Sequence, residues 1–110
     1  MAEVRITVMY PQPSDLAKFE RDYLDEHIPM AKEVFQKAGA TRAVLTKITG
    51  SPMGTPAFCR IAEIYFPNLQ TLQAAAMSAE AQKVLGHAFQ ISSGGPPTIL
   101  IGEVDSIALS

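Results

Sequence analysis

The sequence is short of charge: Asp, Glu, Lys and Arg make up 18% of its 110 residues, against roughly 25% in an ordinary soluble domain. It has no tryptophan and one cysteine, Cys59. A single thiol excludes an intrachain disulfide and a cysteine-based zinc cluster, so Cys59 is expected to pack as a small apolar side chain. Nine basic residues against 11 acidic ones give a net charge of -2, and no stretch concentrates Lys and Arg. The electrostatic footprint of a nucleic-acid binder is therefore missing. No apolar run approaches the roughly 18 to 20 residues that cross a bilayer, so no membrane partner is expected. Met1-Ala2-Glu3-Val4-Arg5 runs straight into alternating residues without the basic and apolar segments of a leader, which makes the cytoplasm the expected location.

The length predicts a single domain over residues 1–110. A domain of this size buries about two-thirds of the surface of its unfolded chain, so a partner subunit would provide useful cover. Residues 3 to 10 alternate with period two, placing Val4, Ile6, Val8 and Tyr10 on one face and Arg5, Thr7 and Met9 on the other. That strand stops at Pro11 and Pro13. Ser14 is the predicted cap of an amphipathic helix over 15–27, with Leu16, Phe19, Tyr23 and His27 on one face. Pro29 should interrupt it and open a second helical segment, with Met30, Val34 and Ala38 inward and Gly39 as the stop.

Residues 41–49 and 58–66 read as strands joined by a Gly/Pro-rich loop at 50–56. Asn68 caps a short helix carrying Leu69 and Leu72. Ser78 caps another carrying Ala81, Val84, Leu85, Ala88 and Phe89. After the loop at 92–97, residues 98–104 form the last strand. The order β-α-β-β-α-β predicts an α+β, ferredoxin-like sandwich with an antiparallel four-stranded sheet. Ile99-Leu100-Ile101 and Val8-Met9-Tyr10 put apolar side chains on both sheet faces. Ten of the 20 charges fall within residues 15–37, leaving the sheet poor in charge. The expected cover is the same face of a second copy, giving a homodimer through the sheet faces.

Phe19, Tyr23 and His27 step along one helix face toward the strand that ends at Tyr10, making a candidate pocket. His27 titrates near neutrality and would act there as acid or base, with protonation favoured by a helix C-terminus. Its structural alternatives are capping terminal carbonyls or packing on Tyr23, and the aromatic stripe reads equally as core. Glu63, mid-strand on the face to be covered, needs a cationic partner there, for which Arg5 and Arg60 are available; an interfacial ion pair and a catalytic acid both fit. His87 has no metal ligand at suitable spacing and reads as a surface residue. Gly94-Gly95 lacks the spacing of a phosphate loop, and no nucleophile elbow or zinc-binding helix is present, so neither a cofactor nor a metal is expected.

Tyr10-Pro11, Phe19, the run Tyr23, His27, Pro29 and Met30, then Arg60-Ile61-Ala62-Glu63-Ile64-Tyr65-Phe66 and Ser78-Ala79-Glu80-Ala81 resemble the EthD family over roughly residues 3 to 105. The resemblance implies a ferredoxin-like subunit of a dimeric α+β barrel. It also implies a pocket between helices and sheet lined by His27, Tyr10 and Tyr23, with Phe19, Glu63 and Phe89 as further ligand-binding candidates. The family is named for a protein of bacterial ethyl tert-butyl ether degradation, and its wider superfamily includes cofactor-independent monooxygenases and isomerases. Gly86-His87-Ala88-Phe89-Gln90 departs from relatives that carry an acidic residue and an Asn-Phe pair there. The function implied is therefore a small catabolic protein handling an apolar or aromatic metabolite without its own redox cofactor. Whether as a cofactor-independent oxidoreductase, isomerase or lyase, or as a non-catalytic binding or accessory module, stays open.

Overall fold

The computed structural model describes residues 3–109. Met1 and Ala2, where the leader reading starts, lie outside the described residues. Strand β1 (Glu3–Pro11) leads into helix α1 (Leu16–Arg21), a π-helical turn (Asp22–His27) and helix α2 (Ile28–Lys37). Strands β2 (Arg42–Lys47) and β3 (Phe58–Phe66) follow, then helices α3 (Leu69–Ala76) and α4 (Ala79–Ile91), and strand β4 (Thr98–Val104). The four strands form one antiparallel sheet in the order β2-β3-β1-β4. This is the predicted ferredoxin-like α+β fold. No helix among the described residues is long and apolar enough to cross a membrane.

The period-two pattern sets the layering. Val4, Ile6, Val8 and Tyr10 of β1 join Ala62, Ile64 and Phe66 of β3 in a core closed by Phe19, Tyr23, Phe35, Leu72, Val84 and Ala88 of the helices. Tyr10 sits opposite Arg60, whereas Pro11 sits opposite Phe58, so Cys59 occupies a bulge. Its thiol is buried there against the carbonyl of Pro11.

The first helix differs from the sequence expectation in three ways, all with local causes. The cap is Asp15, whose carboxylate accepts from the Lys18 N–H, while the Ser14 N–H donates to the Ser93 hydroxyl and ties the helix entry to the 92–97 loop. Leu16, expected inward, is 48% exposed. Most consequentially, Pro29 does not interrupt the rod. An α-helical turn would drive the proline ring into the carbonyl four residues back. Here the preceding turn is widened, with the Ile28 N–H donating to the carbonyl of Tyr23, five residues back. The helical backbone therefore continues past Pro29, and the inward face of α2 becomes Ile28, Ala31 and Phe35 together with Val34 and Ala38, while Met30 turns outward.

Beyond the helices, Gly39 stops α2 with φ of 98°, and Asn68 and Ser78 cap α3 and α4 with their side-chain oxygens. Such caps stabilise a helix by about 1 kcal/mol each. The sheet face away from the helices is less uniformly apolar than the alternation suggested. Glu63 pairs with Arg5, Tyr65 packs beside them, and the Arg42 guanidinium lies 3.8 Å over the Tyr65 ring. Around that cluster, Leu100 is 54% exposed and Met9, Val44 and Ile61 are half-buried.

Candidate functional site

Between the helices and the sheet lies a cavity of about 630 Å³, within the range of small-molecule sites. It exists because small residues face each other across the two layers: Ala31 of α2, Ala81 and Ala88 of α4, and Ala43 and Ala62 of the sheet all line it. Larger side chains at these positions would close the gap. The remaining walls are mainly Ile, Val, Leu and Phe, and the polar groups are few. Tyr10 and His27 are deeply buried, whereas Lys32, Gln36, Thr41 and Arg42 stand in exposed surroundings.

The π turn positions the buried polar group. Phe19 and Tyr23 stack at 5.5 Å between ring centroids and Tyr23 and His27 at 6.0 Å, while His27 and His87 of α4 meet edge to edge at 5.2 Å, all within 17° of parallel. Tyr10 meets the stack edge-on, which suits the ring quadrupoles. Its hydroxyl lies 3.2 Å from His27 Nε2, and His27 Nδ1 lies 3.0 Å from His87 Nδ1. His87 Nε2 is 3.9 Å from the Glu26 carboxylate. Four side chains from β1, the π turn and α4 thus make one line from the cavity wall to an exposed acid.

Burial governs their protonation. His27 has its pKa pushed down to about 4, first by desolvation and then by His87. It is a neutral imidazole at pH 7. The sequence had suggested a helix C-terminus that would favour the charged ring, but the rod continues through Pro29, so His27 meets no terminal carbonyls. Desolvation also raises the Tyr10 phenol well above its ordinary value and pushes Tyr23 up to about 12. The buried Tyr23 hydroxyl has no hydrogen-bond partner among the described residues. On the neighbouring flank, Arg60 makes two hydrogen bonds to Glu20, at 3.0 and 2.8 Å, with its guanidinium 5.2 Å from the Tyr23 ring centroid.

The six residues singled out in the sequence do not all meet at the cavity. Tyr10 and His27 line it. Tyr23 and Phe19 form the stack behind His27 and do not reach the lining. Glu63 is on the opposite sheet face with Arg5, while Arg60, the other partner considered for it, is on the helix face with Glu20. Phe89 is 50% exposed and outside the cavity. His87, read as a surface residue, instead packs on His27 with its side chain 16% exposed. The available signal was its placement three residues beyond Val84 on the inward face of α4. Among the described residues, no three His, Cys, Asp or Glu side chains are gathered as metal ligands.

The model of the EthD domain matches residues 11–87. The chain belongs to the EthD domain family. An EthD family protein of Bacillus halodurans shares 29% identity, covering 94% of this chain and 99% of the other, with a TM-score of 0.84. An uncharacterised 11.0 kDa protein from the thcB-thcC intergenic region of Rhodococcus erythropolis is 24% identical, over 90% of this chain and 93% of its own length. A dimeric ferredoxin-like protein of Jannaschia shares the fold at 15% identity, with 93% and 99% of the chains covered and a TM-score of 0.74. SnoaB, a cofactor-independent oxygenase of Streptomyces nogalater, does so at 11% identity, 99% and 97% coverage and a TM-score of 0.63. The EthD match includes the whole π turn and ends at His87.

Proposed function

We propose that this EthD-family protein binds a small apolar or aromatic metabolite in the cavity between helices and sheet, and that neutral His27, with Tyr10 at its Nε2, acts as the base on it. The reaction is proposed to need no redox cofactor of the protein's own, and its setting is bacterial catabolism. The observation that carries this reading is the buried Tyr10–His27 pair in the wall of an otherwise apolar cavity of about 630 Å³. An apolar ligand gains about 25 cal/mol for each Å² removed from water there, while Tyr10 and His27, deeply buried in the lining, orient its reactive hydrogen. A neutral imidazole is ready to accept a proton without first losing one.

Glu63, Phe19 and Phe89 have no contact with a ligand in this proposal, and Tyr23 supports His27 by stacking. The working unit is proposed to be a homodimer joined through the outer sheet faces, which would cover Leu100 and enclose the Arg5–Glu63 pair. That a protein of the same fold is dimeric supports a two-subunit unit. Light scattering at micromolar concentration should give twice the chain mass, and a monomer would remove it.

The test of the site uses 2-naphthol as an aromatic probe and a screen of apolar and aromatic compounds for turnover, on the wild-type protein and His27→Gln. The proposal expects probe affinity in the variant within about threefold of wild type and turnover reduced at least a hundredfold, in keeping with the usual worth of a general base. Probe binding without turnover of any compound would identify a binding or accessory module instead. Equal turnover by the variant would remove His27 from the chemistry.

A further inference from the structure

We propose that Tyr10, His27, His87 and Glu26 form a proton relay from the cavity to solvent, in which His87 is the positioning residue that fixes the tautomer of His27. The proposal rests on reading His27 as the base of the site, and it concerns a residue for which that reading had no role.

The geometry narrows the possibilities to two. His27 Nδ1 and His87 Nδ1 face each other at 3.0 Å, and a hydrogen bond between them needs one proton, on one of the two atoms. In the first arrangement the Tyr10 hydroxyl donates to His27 Nε2, His27 Nδ1–H donates to His87 Nδ1, and His87 Nε2–H points at Glu26. In the second every donor is reversed, and the bare lone pair of His87 Nε2 faces the Glu26 carboxylate at 3.9 Å. A carboxylate attracts an N–H and repels a lone pair, so the first arrangement is favoured. Glu26, with its side chain 64% exposed, thereby sets the polarity of a chain that ends inside the protein at Tyr10. On the other side of His27, Tyr23 stacks on it from its own helix, and Arg60 lies over Tyr23 while paired to Glu20.

That polarity allows transfer without a charge on either imidazole. A ligand gives a proton to the Tyr10 oxygen as the Tyr10 proton passes to His27 Nε2. The Nδ1 proton of His27 passes to His87 Nδ1, and the Nε2 proton of His87 passes to Glu26 or to solvent water. One bond to hydrogen breaks on the ligand, whose electron pair stays behind, and one forms at the surface. Tyr10 and both imidazoles end neutral, the two rings with their tautomers reversed, while the negative charge stays on the ligand until a proton returning from solvent resets the chain. Neither imidazole has to persist as a cation, which is the state that burial penalises at His27.

The experiment is nitrogen-15 NMR of the ring nitrogens at pH 7, in a chain with only two histidines. The relay predicts His27 mainly as the Nδ1–H tautomer and His87 mainly as the Nε2–H tautomer, with a measurable coupling between the two Nδ1 atoms across the hydrogen bond. Glu26→Gln should reduce that tautomer population, and His87→Phe, which keeps an aromatic ring but no acceptor, should move the His27 proton toward Nε2. Should His87→Phe fail to fold, His87→Leu, which also lacks an acceptor, supplies the same readout. His27 found mainly as Nε2–H in the wild-type protein, or absence of the Nδ1–Nδ1 coupling, overturns the relay. Because no substrate is involved, the outcome is separate from that of the site itself: absence of the Nδ1–Nδ1 coupling with His27 still carrying its proton on Nδ1, alongside lost turnover in His27→Gln, would sink the relay and leave the base in place.

Discussion

Lowering the pH from 7 to 4.5 should destabilise this protein through one side chain, His27. Its pKa falls from 6.5 to about 4 in the folded chain because the ring is desolvated and faces His87. Between those values the unfolded chain binds a proton that the folded chain refuses. A depressed histidine therefore leaves stability intact above about pH 6.5 and erodes it as the pH falls toward 4. At pH 4.5 this linkage costs the folded state about 2 to 3 kcal/mol relative to neutral pH, or roughly 10 °C in Tm for a domain of this size. The assay is urea denaturation of the wild-type protein and His27→Gln at intervals from pH 7.5 to 4.5. The variant carries a constant offset from lost contacts, so the decisive quantity is how the difference between the two changes with pH. Carboxylates cancel in that difference. A gap that stays constant within about 0.5 kcal/mol would refute the inference that His27 is buried as a neutral ring.

Tyr23→Phe should leave urea stability unchanged or raise it by about 1 kcal/mol, because it removes a buried hydroxyl that has no partner; a loss above 1 kcal/mol would show that the hydroxyl is satisfied. Arg60→Met should cost roughly 2 kcal/mol by leaving the Glu20 carboxylate only the Lys47 ammonium at 3.9 Å, a figure below that of fully buried pairs because Glu20 is 18% exposed. Arg60 holds the Glu20 pKa below its ordinary value, so the wild-type advantage should be full above about pH 4.5 and shrink as the pH falls through the lowered value. An advantage that grew in acid would contradict the pairing. Gly94→Ala should lower stability by roughly 2 kcal/mol or more, since the added Cβ would come within 1.9 Å of the Gln12 carbonyl oxygen; denaturation indistinguishable from wild type would show that the loop does not pack on the end of β1.

Strands were legible from period-two alternation because each face of a strand meets one environment along its whole length. The bounds of β3 and β4 coincide with the expected ones, and β2 is trimmed to residues 42–47 at its edges. The π turn was not legible. Pro29 was a sign of disruption, but whether a helix breaks or widens depends on what the displaced residues gain, and here the widened turn packs Tyr23, His27 and Phe35 into the interior. The cavity was hidden for a related reason: alanines such as Ala62, Ala81 and Ala88 read as good core and helix residues individually, and only their juxtaposition across two layers leaves a void. Tyr10 and His27 could be placed together because spacing on one helix and one strand face sufficed. His87 required knowing how α4 lies against the π turn, a long-range packing relation that local pattern does not carry. Glu63 was placed on the correct strand face, but its Arg5 partner makes that face a structural ion-pair surface in the folded chain.

The central claim is that the alanine-lined cavity is a ligand site with Tyr10 and His27 as its polar wall. A crystal structure of the protein with 2-naphthol tests it most directly. The naphthalene rings are expected between α2, α4 and the sheet, with the probe hydroxyl within hydrogen-bond distance of the Tyr10 oxygen or His27. Probe bound elsewhere, or a cavity closed by its own side chains with His27 turned to solvent, would contradict it.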